Sequence, residues 1–203
     1  MSTWIFLRHG ESEANAARVF SGHQDVALTA KGRAQAQQAG LTLQHTLSTS
    51  ERLVALSSDL QRARDTTAIA LEAAGVSLPI LTFPALRERR LGDWQGESID
   101  ELKRTGARDT LLRWDGRAPG SGESLRDLAL RVLPCLAQHD TGGTILVGSH
   151  GGVVRTIVGL ADGMPLDDLC RWNVPNCEPQ VRSYPVGIFS SLLAKLPATH
   201  GDA

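Results

Sequence analysis

Short apolar runs alternate along this chain with longer stretches whose apolar residues recur at helical spacing, the pattern of a largely parallel sheet covered by helices. Trp4-Ile5-Phe6-Leu7 predicts a first strand. Thr29 is placed to cap a helix over Arg33 to Leu47, where Ala34, Ala36, Ala39, Leu43 and Leu47 follow the helical period. Arg52 to Ser57 predicts a buried strand, Leu60 to Ala74 a second helix closed by Gly75, and Pro79 to Phe83 a third strand. Thr144 to Gly148 repeats the strand signal and leads into a helix from about Val153 to Leu160. The expected class is α/β: a three-layer sandwich with a mostly parallel central sheet and helices on both faces.

Other stretches break this rhythm. Residues 86–123 are rich in Arg, Gly, Asp and Trp, and they are expected to form an insertion, helical around Ile99 to Lys103, covering a site within a single domain spanning 1–203. Ser124 to Gln138 resumes a helix that Pro134 should kink or shorten. Val181 to Tyr184 and Gly187 to Leu193 read as a closing pair of strands, and Thr199 to Ala203 as a loose tail.

Polar residues at the strand ends carry the chemistry. Arg8-His9 lies one step beyond the first apolar run, and Gly10 lets the chain turn away without a side chain crowding the pair. Ser149-His150-Gly151-Gly152 repeats the order of strand, histidine, glycine, helix. Arg62 falls on the first turn of the second helix and Glu88 follows the third strand. The carboxyl ends of parallel strands share one rim, so Arg8, His9, Arg62, Glu88 and His150 can meet there. Two guanidiniums and two imidazoles against one carboxylate imply an anion, because so much positive charge gathered without one is costly. The planar fork of arginine suits phosphate.

Composition narrows the partners. The chain has 203 residues, enough for one domain with a sizeable core, and 21 Lys and Arg against 22 Asp and Glu give a net charge of −1. Neither a non-specific nucleic-acid binder nor a membrane-surface protein is expected. No apolar run is long enough to span a bilayer and no charged leader precedes an apolar block, which suggests a cytoplasmic protein. Cys135, Cys170 and Cys177 form no C-x-x-C pair, so neither a disulfide framework nor a zinc knuckle is expected.

The stretch Leu7-Arg8-His9-Gly10-Glu11-Ser12-Glu13-Ala14-Asn15, followed by Phe20-Ser21-Gly22 and Leu28-Thr29-x-x-Gly32, resembles the histidine phosphatase superfamily, in its phosphoglycerate mutase-like branch. Later landmarks agree: Ser58-Asp59-Leu60-Gln61-Arg62-Ala63, Leu86-x-Glu88-x-x-x-Gly92-x-x-x-Gly96, Gly122-Glu123-Ser124-Leu125 and Ser149-His150-Gly151-Gly152. The resemblance implies that His9 is a nucleophile forming a phosphohistidine, that Arg8, Arg62 and His150 clamp the phosphoryl oxygens, and that Glu88 exchanges protons with the leaving oxygen and with water. It assigns Asn15, Ser21 and Gly22 to phosphate or substrate binding. No metal and no other cofactor is expected, since two arginines aimed at one point oppose a dication.

Within that family the mutase branch carries a tyrosine, a lysine and an asparagine where this chain has Leu91, Ile99 and Gly152, and its insertion arginine pair has no counterpart in Trp114-Asp115-Gly116-Arg117. The expected activity is therefore metal-independent hydrolysis of small phosphomonoesters; a bisphosphoglycerate-dependent mutase and a non-catalytic phospholigand-binding protein are the alternatives. The physiological substrate and the oligomeric state stay open. Among the remaining residues, His23 alone stands near enough to the phosphate loop to line a pocket, and Trp94 and Trp114 either pack the insertion or stack on substrate. Arg87, Arg89 and Arg90 are either surface cations or a positive rim at the mouth.

Overall fold

The computed structural model describes residues 1–196. Its strands β1 (Ser2–Arg8), β2 (Leu53–Ser58), β3 (Ile80–Phe83), β4 (Gly143–Ser149) and β5 (Gln180–Tyr184) form one sheet in the order β3-β2-β4-β1-β5. The first four run parallel and β5 pairs antiparallel with β1. Helices α1 (Glu13–Ala16), α2 (Ala30–Ser48), α3 (Gln61–Ala73), α4 (Ile99–Arg104), α5 (Leu125–His139), α6 (Gly151–Ala161), α7 (Leu166–Arg171) and α8 (Ile188–Ala194) complete the expected α/β architecture.

The period of two along the strands divides the core. Trp4, Phe6, Leu56, Ile145 and Val147 face one side, where Leu125, Leu128, Val132 and Leu133 of α5 and Val153, Val154, Ile157 and Val158 of α6 cover them. Ile5, Leu7, Ala55 and Leu146 face the other, under Ala36, Ala39, Leu43 and Leu47 of α2 and Ala70 and Leu71 of α3. Each such Leu, Ile or Val contributes roughly 1.5–3 kcal/mol when fully buried, so the sheet is anchored on both faces and its strand ends are held still. Helix starts are set locally: the Thr29 side chain accepts from Gly32 N, and Ser124 and Asp127 form a reciprocal capping box.

Two expectations change. Helix α5 runs on through Pro134, because the carbonyl that proline cannot bond belongs to Leu130 on the exposed side, where water can satisfy it, while Val132, Leu133 and Leu136 pack inward. The stretch after β5 is not a strand but α8: Gly187 takes φ +89° to turn the chain, and Phe189 then seats its ring 4.7 Å from that of Trp4. The tail 199–203 lies outside the described residues.

The segment 86–123 holds α4 and two 3-10 turns, Gly92–Trp94 and Ala107–Leu112. Leu91, Leu111 and Ala118 form its own small core, with Phe20 and Trp94 packed against them. Trp94 thus packs the segment, and Trp114, 4% exposed, belongs to the main core; neither is a stacking platform for substrate.

Candidate active site

Residues Arg8 and Ser149 are register partners at the carboxyl ends of neighbouring parallel strands, and His9 N donates to Ser149 O at 2.9 Å. The two strand-to-histidine motifs are therefore brought side by side, with ring centroids of His9 and His150 5.1 Å apart. The chain leaves β1 through Gly10 against the start of α2: a Cβ on Gly10 would stand 2.2 Å from Gly32 O. Glycine is required there by that backbone approach rather than by crowding of the histidine.

A neighbour sets the proton on the His9 ring. His9 Nδ1 lies 2.7 Å from Gly10 O, an atom that only accepts, so Nδ1 carries the hydrogen and Nε2 keeps its lone pair. Arg62 Nε donates to that Nε2 at 3.3 Å. On His150, Nε2 lies 2.9 Å from Ser58 Oγ, which itself accepts from Leu60 N. The Ser58 hydroxyl keeps its hydrogen and a second lone pair, so it can donate to Nε2 or accept from it, while His150 Nδ1 is a buried atom with no partner among the described residues.

Burial is the largest cause holding both imidazoles well below their ordinary value, with Arg62 next for each. Desolvation, more than the neighbouring arginines alone, thus keeps His9 neutral.

Arg62, on the first turn of α3, is fully buried and donates to Gln24 O and Gly22 O, both at 2.8 Å. Arg8 donates from Nη1 to Val174 O, while its Nε is buried without a partner among the described residues. The Glu88 carboxylate accepts from Arg89 N at 2.7 Å and from Gly152 N at 3.0 Å. A Cβ on Gly152 would stand 2.1 Å from Glu88 Oε1, so that glycine makes room for the carboxylate.

Asn15 Oδ1 accepts from Ser12 N within the α1 capping box and from Asn176 Nδ2, which frees its amide hydrogens for the cleft. Arg8, His9, Asn15, Ser21, Gly22, Arg62 and Glu88 line one cleft of about 190 Å³, with His150 buried behind His9. All eight residues singled out in the sequence converge. Among the described residues, no group of three or more His, Cys, Asp and Glu is arranged to hold a metal ion, and no helix is long and apolar enough to cross a membrane.

The family model of the histidine phosphatase superfamily (branch 1) matches residues 4–187. The chain belongs to the histidine phosphatase superfamily. The chain is 39% identical over 170 residues, 79% of each chain, to the 2,3-bisphosphoglycerate-dependent phosphoglycerate mutase of Methylobacterium radiotolerans. A second relative, the 2,3-bisphosphoglycerate-dependent phosphoglycerate mutase 2 of Gloeobacter violaceus, is 33% identical over 95% of this chain and 91% of its own. Among solved structures, mycobacterial glucosyl-3-phosphoglycerate phosphatase complexed with VO3 superposes with a TM-score of 0.78 at 27% identity, covering 90% of this chain and 93% of that one.

Several site residues gave no sequence signal. The loop after α7 supplies Trp172, Asn173 and Val174 to the cleft wall, and Asn176 Nδ2 donates to His9 O at 2.7 Å. His23 does not line the cleft; its Nε2 donates to Glu88 O at 2.7 Å. Arg131 of α5 donates to Glu88 O and Ala85 O and pairs with Glu123, so the Gly122-Glu123-Ser124-Leu125 landmark holds the Glu88 loop in place. Of the three arginines around Glu88, Arg87 pairs with Asp59 and Arg90 is exposed, whereas Arg89 enters the cleft.

Proposed function

We propose that the chain is a phosphatase of small phosphomonoesters acting through a phosphohistidine on His9, without a metal. His9 Nε2 attacks phosphorus in line as the bond to the leaving oxygen breaks and Glu88 gives that oxygen a proton. In the second half-reaction Glu88 takes a proton from water, the water oxygen attacks phosphorus, and the P–N bond breaks, returning the lone pair to Nε2. Arg8, Arg62 and His150 stabilise the equatorial oxygens as charge is redistributed. Asn15, Ser21 and Gly22 hold the phosphoryl group or the adjoining substrate atoms. A cleft of about 190 Å³ suits a small molecule.

The observation that carries hydrolysis over isomerisation is that Leu91, Ile99 and Gly152 all line this cleft. The mutase branch has its tyrosine, lysine and asparagine at those positions, and an apolar wall cannot replace the hydrogen bonds by which they hold a carboxylate. Trp114, from the stretch matching the mutase arginine pair, is buried in the core. A phosphatase stands among the structural neighbours. The names of the relatives favour the mutase as a second reading.

Incubation with an aryl phosphate and a chelator tests the proposal. Phosphate release that persists, together with acid-labile phosphate incorporation that His9→Ala abolishes, is the expected result. Isomerisation of a phosphoglycerate stimulated by its bisphosphate, faster than hydrolysis, would establish the mutase instead. Absence of any turnover across the pH range would leave a binding protein.

A further inference from the structure

Arg62 is aimed without a carboxylate. Arg87 and Arg131 are each gripped by both oxygens of one acid, Asp59 and Glu123, which fixes the plane of the guanidinium. No carboxylate stands within ion-pair distance of Arg62 among the described residues. Its plane is set instead by His9 Nε2 on Nε, Gln24 O on Nη1 and Gly22 O on Nη2. These acceptors leave one hydrogen on each Nη for the phosphoryl oxygens. The direction of those hydrogens therefore follows the carbonyls of Gly22 and Gln24.

Both carbonyls lie on a loop, residues 21–25, that has no helix or strand of its own, and Gln24 and Asp25 are exposed. Such a segment keeps its place through ties to its neighbours. At one end Gln95 Oε1 accepts from His23 N at 2.7 Å. The same side chain fills the space beside Gly22, where the backbone takes φ +48° and a Cβ would stand 2.4 Å from Gln95 Oε1. At the other end Asp25 Oδ1 accepts from Gln61 N at 2.7 Å. Gln61 opens α3, and the N-cap residue Leu60 offers no side-chain bond, so Asp25 caps from a distant segment the turn that carries Arg62. Between these ends the His23 ring bonds Glu88 O, which ties the same loop to the acid.

We propose that Gln95 and Asp25 are positioning residues that act through Arg62: they fix the two ends of the 22–25 loop, whose carbonyls aim the guanidinium at the equatorial oxygens. This rests on the reading that a phosphoryl group sits beside His9. Neither Gln95 nor Asp25 lines the cleft, so contact with substrate is not their route. Gln95 gives the segment 86–123 a task besides covering the site, since through it the segment sets the geometry of a cation on the opposite wall.

Steady-state kinetics with an aryl phosphate, and calorimetric titration of the whole chain with orthovanadate and with inorganic phosphate, test this. Orthovanadate reproduces the five-coordinate transferring group, so it gains more from a correctly aimed Arg62 than tetrahedral phosphate does. Gln95→Met removes one acceptor at similar volume and Asp25→Ala removes the cap. Each should lower kcat about tenfold or more with KM changed less than about threefold, and weaken vanadate at least about fivefold more than phosphate. Gln95→Glu and Asp25→Asn keep an acceptor oxygen and should restore most of the loss. In an Arg62→Lys background, where one ammonium cannot span both carbonyls, Gln95→Met should cost less than about twofold in vanadate affinity. Losses that multiply in that background, absence of rescue, or equal weakening of vanadate and phosphate overturn the assignment. If Arg62→Lys fails to fold, the rescue pairs and the vanadate selectivity decide. No aryl phosphate turnover in the unaltered chain, with the vanadate-selective loss intact, would refute hydrolysis while the positioning stands; turnover with that selectivity unmoved would do the reverse.

Discussion

Buried and uncharged, His9 and His150 make the fold itself sensitive to acid. Once unfolded, each imidazole takes up a proton near its ordinary value of about 6.5, while in the folded chain burial and Arg62 prevent this. Below that pH the unfolded state binds more protons, so stability falls as pH falls, by up to about 1.4 kcal/mol per pH unit for each ring until the depressed folded value is reached. Above about pH 7 neither ring contributes to the pH dependence. Urea midpoints measured at about pH 7.5 and about pH 5.5 should show the loss, and His150→Gln should flatten it. Gly152 offers a second test at this scale. Alanine there would put a methyl group 2.1 Å from Glu88 Oε1, so Gly152→Ala should move the carboxylate and lower kcat by about 10²–10⁴-fold. Inhibition by inorganic phosphate should change little, because Arg8, Arg62 and His150 are untouched. Sequence motifs named these residues. His23 and Glu123 were present in the sequence without their tasks, because both act on the Glu88 loop through contacts between distant segments, His23 on its carbonyl and Glu123 by way of Arg131.

Elements with a local cause behaved as their patterns implied. The Thr29 cap, the Ser124 box and the period-two strands each depend on residues within a few positions of one another. The stretch after β5 did not match its expected strand: Ile188, Phe189, Leu192 and Leu193 follow the helical spacing instead, and the aromatic pocket of Trp4, Phe6 and Tyr184 seats the helix through Phe189. The loop bearing Glu88 is held in a comparable way, by α5 rather than by its own sequence: Arg131 spans Ala85 O, Glu88 O and Glu123. Arg131→Met should therefore let the loop shift and reduce kcat roughly 10- to 100-fold, with less effect on phosphate inhibition. Equal losses in both would show that α5 supports the whole cleft instead.

At the scale of the molecule, a net charge of −1 conceals a cleft whose four guanidiniums have no carboxylate within ion-pair distance among the described residues. That local field should draw anionic substrates, so kcat/KM for a phosphomonoester should fall as salt rises from about 10 mM to about 150 mM, while the Debye length shortens from about 30 Å to about 8 Å. A flat salt profile in steady-state kinetics would mean that the field is screened at the mouth. The alternation of apolar runs, the caps and the residues at the strand ends were enough to establish the class of fold and the five groups that meet, because parallel strands put their carboxyl ends on one rim whatever joins them. The tautomer of His9, the room that Gly152 leaves for Glu88 and the hold of Arg131 on the Glu88 loop were decided only by tertiary structure. Each depends on backbone and side-chain atoms separated along the chain, and burial, which removes water as the alternative partner, gives those contacts their strength.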